Sequence, residues 1–240
     1  MTRLFCSVLP IAMFCTVASA LPLQSDHGTL TAVPAPAEVV IDGSLEGWDT
    51  SGEMLVYNNR ALRDRYAVRV SAMHDAEALY LGLRWRDPTP MINNVDPDRA
   101  PGEGWMADSF QARFITPDYP QVHFTAWYSG KHDRSVAQFN YHGPMDPAGM
   151  RLFRGEGRAL RDAGGFEMAF LRDADSRGYT QEIRIPWSLL TTSGASPAAG
   201  QEIGFTGEYF WGGPTGNKWP AVMWADPVGQ TQRVRVVLFQ

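Results

Sequence analysis

Apolar and polar positions alternate with period two along most of this chain. The clearest case is a neighbouring pair of segments, Asp108-Ser-Phe-Gln-Ala-Arg-Phe114 and Gln121-Val-His-Phe-Thr-Ala-Trp-Tyr128. Successive side chains of a strand point to opposite faces. Phe110, Ala112 and Phe114 therefore share a face with one another, as do Val122, Phe124, Ala126 and Tyr128. The reverse face carries Gln111 and Arg113, then His123, Thr125 and Trp127. Further strand patterns lie at Val39–Ile41, Tyr66–Ser71, Leu79–Trp85, Gly165–Phe170, Tyr179–Ile185, Glu202–Phe210 and Arg233–Phe239. The second and third of these flank the turn His74–Ala78 and predict a hairpin. Pro186–Leu190 suits a single helical turn, with proline at the tolerated first position. No segment sustains a helical period. Many short strands between Gly- and Pro-rich turns predict an all-β fold, a single antiparallel β-sandwich.

The N-terminus stands outside that pattern. Arg3, the apolar run Leu4–Val17 and Ala18-Ser-Ala20 match a secretory signal peptide over residues 1–20, too short and wrongly flanked for a membrane span. Bulky Phe14 before Cys15 argues against a lipoprotein reading. Residues 21–36, with Pro22, Pro34 and Pro36, read as a linker, and 37–240 as one ligand-binding sandwich. The expected location is outside the cytoplasm, periplasmic or secreted.

Composition narrows the function. Both cysteines, Cys6 and Cys15, fall in the leader, so the exported chain has neither a disulfide nor a thiolate metal site. A net charge of -5 argues against nucleic acid, which favours clustered Lys and Arg. The chain contains no HExxH, GxSxG or phosphate-binding loop. These absences favour a binding module over an enzyme.

Two long loops, Asp87–Ala107 and Gly212–Ala225, are the places where function is expected. Trp105 ends the first and Trp211 precedes the second. Their glycine neighbours, Gly104 and Gly212-Gly213, suit loop rims. Trp48, Trp85 and Trp187 read as core. Aromatic faces stack on sugar rings, while amides and guanidinium groups bond the hydroxyls. The expected carbohydrate-binding set is Trp105, Gln111, Arg113, His123, Trp127 and Trp211. His123 lacks a neighbouring carboxylate to orient it as a general base. Asp87, Asp96, Asp98 and Asp108 are candidate calcium ligands, although turn-forming aspartates explain them equally well.

Val40-Ile-Asp-Gly-Ser-Leu-Glu-Gly-Trp48, Asp75-Ala-Glu-Ala-Leu-Tyr-Leu81, the Asp108 strand, Tyr179-Thr-Gln-Glu-Ile-Arg-Ile-Pro-Trp187 and Ile203-Gly-Phe205 occur in an order that resembles family 9 carbohydrate-binding modules and their DOMON-like relatives. The resemblance implies a β-sandwich that grips a terminal sugar between two tryptophans, with structural calcium. By position, Trp105 and Trp211 match that clamp, and Gln111 stands where an acidic residue is usual. A glycan, with a partner enzyme as a further expectation, is the implied partner. Leu83-Arg-Trp-Arg-Asp-Pro-Thr89 is also similar to the haem-binding γ subunits of ethylbenzene-dehydrogenase-like enzymes. That resemblance implies haem b, with Met91 or Met106 and Lys218 as candidate ligands. Thr116-Pro-Asp-Tyr-Pro-Gln121 occupies the position of that family's methionine.

Overall fold

Side chains that alternate along the sequence alternate between the core and the outer face of a sheet. The computed structural model describes residues 29–36, 38–57, 60–116, 119, 121–141, 149–198, 201–213, 223–224 and 233–238. Its strands are β1 (Thr29–Pro34), β2 (Met54–Val56), β3 (Ala67–His74), β4 (Ala78–Arg86), β5 (Ser109–Ile115), β6 (Val122–Ser129) and β7 (Arg134–Asn140). They continue as β8 (Met150–Glu156), β9 (Ala159–Arg161), β10 (Glu167–Arg172), β11 (Gly178–Pro186), β12 (Glu202–Trp211), β13 (Met223–Trp224) and β14 (Arg233–Leu238). Two short 3-10 segments, Pro101–Met106 and Trp187–Leu189, accompany them. The second is the helical turn expected after Pro186.

The hydrogen-bonded order is β8-β7-β6-β5-β12-β14-β1-β3-β4-β11-β10-β9, with β13 beside β12 and β2 beside β3. This path folds over so that the inner faces of its two halves meet, forming a sandwich. Trp85 of β4 reaches Tyr209 and Trp211 of β12, with ring centroids 5.8 and 5.3 Å apart. Phe166, just before β10, meets Phe124 of β6 at 6.3 Å and Phe139 of β7 at 5.5 Å. Phe110, Ala112, Phe114, Val122, Phe124 and Ala126 all face this core, as their spacing predicts. Trp48, Trp85 and Trp187 are buried as expected.

Two segments differ from the sequence expectation. Residues 29–34, placed in the linker, form β1, which lies between β3 and β14 and is parallel to both. Leu30 and Ala32 of this strand are fully buried in the core. Pro34 is tolerated because it ends the strand, yet in the sequence it reads as linker chemistry. Val39–Ile41 is not a strand. Ile41 instead joins Val33, Leu45, Trp48, Met73 and Tyr80 in a satellite cluster. Glu182 of β11 holds this segment down. Its carboxylate accepts backbone N–H bonds from Asp42 (2.7 Å), Gly43 (2.5 Å) and Leu45 (2.7 Å). Gly82 beneath has no side chain to obstruct the layer: a Cβ there would lie 2.6 Å from Leu45. Among the described residues no helix is long and apolar enough to cross a membrane.

Candidate functional site

On the face away from the core, the adjacent strands β7-β6-β5-β12 carry two cross-strand rows of polar side chains. Gln138, Thr125, Gln111 and Glu208 form one row, and Asn140, His123, Arg113 and Thr206 form the next. The sequence reading reaches the β5 and β6 members. It misses Gln138, Asn140, Thr206 and Glu208, although Ala137 and Phe139 alternating with Gln138 and Asn140 carry the same period-two signal.

Most of the row residues are buried, Gln138 at 5% and Asn140 at 1% exposure. Arg113 and Glu208 are ion-paired and are the most accessible members, with side-chain exposures of 28% and 12%. His123 and Gln111 lie deeper, Nε2 being 3.3 Å from Oε1. Burial, helped by the charge of Arg113, pulls the His123 pKa down to about 4. The ring is therefore neutral near pH 7 and serves as a hydrogen-bonding plate. Its partner is an amide rather than a carboxylate, which does not suit a general base.

The 3-10 segment Pro101–Met106 crosses this face as a strap. Its Gly104 lies flat on the Trp127 ring, where a Cβ would come within 2.4 Å. Asn93 ties the strap down by donating to the carbonyls of Gly104 (2.7 Å) and Asp108 (3.2 Å). Trp127 is consequently fully buried, with its indole N–H unpartnered. The sequence correctly places it on the polar face, but the expectation of an open ring fails because the strap covers it. Between the strap and the sheet, Arg99, Pro101, Glu103, Gln138 and Met150 line a cavity of about 320 Å³.

Trp105, on the strap, is half-buried and meets Phe210 edge-on at 6.5 Å. Trp211 is 1% exposed. β12 runs on through Trp211, so its parity matches inward-facing Phe205 and Tyr209 rather than outward-facing Phe210. Trp85 and Tyr66 pack edge-on against its ring, and its indole N–H donates to the Arg86 carbonyl at 3.0 Å. The expected Trp105–Trp211 clamp is therefore not assembled: one ring is half-buried on the strap and the other is sealed in the core.

Two solved structures are similar to the chain. A family 9 carbohydrate-binding module from Caldicellulosiruptor kristjanssonii, in complex with cellotriose, matches with a TM-score of 0.54 at 16% identity, covering 87% of this chain and 93% of that one. The fold is that of a family 9 carbohydrate-binding module. A family 9 module from the same organism in complex with glucose gives a TM-score of 0.50 at 16% identity, covering 88% of this chain and 95% of that one. At that identity the likeness concerns architecture alone and transfers no residue role. No family model matches the sequence, and no curated protein does.

Among the described residues, the metal and cofactor expectations do not gain a site in this sandwich. Asp96 accepts the Asp98 N–H (2.9 Å) within its own turn, and Asp98 pairs with Arg134 and Arg154 (3.4 and 3.2 Å). Asp87 and Asp108 are buried elsewhere; burial raises both carboxyl pKa values, and the charge of the neighbouring Asp87 raises that of Asp108 further. Asp108 accepts the N–H groups of Ile92 (2.7 Å) and Gly212 (2.6 Å), joining the two long loops. The four aspartates thus do not form one calcium site, and among the described residues no group of three or more His, Cys, Asp or Glu converges. Of the residues the haem reading draws on, Met91 packs in the main core, Met106 is half-buried on the strap, and Lys218 lies outside the described residues, as does Trp219.

Proposed function

We propose that the protein is an exported, non-catalytic carbohydrate-binding module whose site is the accessible Arg113–Glu208 side of the β7-β6-β5-β12 face. The observation that carries this reading is the pair of polar rows. They present amide, guanidinium, carboxylate and imidazole groups side by side on a rigid sheet, as recognition of several hydroxyls at once requires. Arg113 and Glu208 bond the sugar; Gln111 and His123 stand beside them and hold their positions. Trp105, packed edge-on against Phe210 two residues beyond Glu208, supplies the stacking plate. The cellotriose and glucose in the two similar modules support a gluco-oligosaccharide. The leader pattern of residues 1–20 supports export.

One stacking ring contributes about 1 kcal/mol beyond its burial, so affinity is expected in the micromolar range or weaker. Calorimetric titration with glucose and cellotriose tests the reading. Trp105→Ala and Glu208→Gln should each weaken binding by about five- to tenfold while leaving the thermal transition in place. A wild-type protein that takes up neither sugar, or variants that bind as well as it does, would overturn the assignment.

A further inference from the structure

A second cavity, of about 380 Å³, opens on the other face of β8, where the free edge of one half of the sandwich faces the β9–β10 hairpin of the other. Its origin lies in the parity of β8. Arg151 and Phe153 are in register with Phe139 and Ala137 of β7, both fully buried, so they turn toward the inside of the sandwich. A long cation at an inward position of an edge strand reaches out through the gap. The Arg151 guanidinium lies 5.5 Å over the Tyr141 ring and makes no ion pair among the described residues. Phe153 is half-buried and stacks on the fully buried Phe166, with centroids 4.9 Å apart and planes at 29°. The far rim consists of Asp162 in the hairpin turn and Ser188 beside Leu189. Asp162 Oδ2 is occupied by the Gly164 N–H at 2.7 Å. The mouth is braced by Tyr141, whose hydroxyl donates to the Leu189 carbonyl at 3.1 Å.

We infer that this mouth is a second ligand site, for an aromatic carboxylic acid bearing a ring hydroxyl. The unpaired Arg151 guanidinium takes the carboxylate as a forked, charge-assisted pair. The aromatic ring lies against Phe153, which offers a partly open face on a rigid aromatic floor. The ring hydroxyl meets the polar rim at Ser188 and Asp162. The volume is within the range of small-molecule pockets and fits one substituted ring. This site does not rest on the glycan reading, because it lies on the opposite face of β8 and shares no residue with the polar rows.

The experiment is titration of the full chain with 4-hydroxycinnamate, with the methyl ester of the same acid as control, followed by calorimetry. The wild type is expected to bind the acid saturably, and to bind the ester at least about tenfold more weakly. Arg151→Gln, a substitution at an exposed side chain, should remove that preference for the acid while leaving cellotriose uptake as in the wild type. Phe153→Leu should weaken acid and ester alike, since it removes the ring contact and keeps the charge. Absence of saturable binding by the wild type, equal affinity for acid and ester, or an unchanged acid preference in Arg151→Gln would overturn the site.

Discussion

His123 shows how one buried side chain makes the polar face sensitive to acid. Its pKa falls from 6.5 to about 4 on folding, so below pH 6.5 the unfolded chain takes up a proton that the folded chain refuses. Stability contributed by the neutral ring is therefore complete above pH 6.5 and drains away as pH falls toward 4. The depressed pKa corresponds to a loss of order 3 kcal/mol across that window. Urea midpoints measured from pH 7 to 4 should fall more steeply for the wild type than for His123→Gln, and parallel curves would contradict the burial argument. Gly104 is the counterpart on the strap. Gly104→Ala places a methyl group 2.4 Å from the Trp127 ring, so strap or indole must shift. Overpacking of this kind destabilises by about 1–3 kcal/mol, and the tryptophan emission of the variant should move to the red as water reaches the ring.

Elements were readable from the sequence where alternation was strong and ambiguous where punctuation competed with it. The β3–β4 hairpin and the β5–β6 pair follow from period two alone, and both pair as expected. Parity was decisive at Trp211. Gly212-Gly213 suggests a loop beginning at the tryptophan, yet the strand carries one residue further and the extra step turns the ring inward. Trp127 failed for a different reason: alternation gives its face, but contact with a strap more than twenty residues earlier is long-range packing that no local pattern contains. Val39–Ile41 reads as a strand because it is apolar, but the turn that follows it is fixed by Glu182, which is remote in sequence. Glu182→Ala would strand the buried N–H groups of Gly43 and Leu45 and the partly buried one of Asp42. A loss of roughly 3 kcal/mol or more is expected in chemical denaturation, with Glu182→Gln recovering part of it.

Across the whole molecule, the sheet is continuous only because β1 fills the place between β3 and β14. Removing residues through Pro34 would leave the main-chain groups of both neighbours unpaired and remove Leu30 and Ala32 from the core. Such a truncated chain should lose its cooperative thermal transition, which calorimetric scanning would reveal directly. A retained transition would show that the remaining strands close the gap unaided. The partnership of β1 with β14 also has a temporal consequence. The first strand laid down waits beside an empty berth until the last one has left the ribosome. A nascent chain therefore cannot close this sheet until β14 has been made.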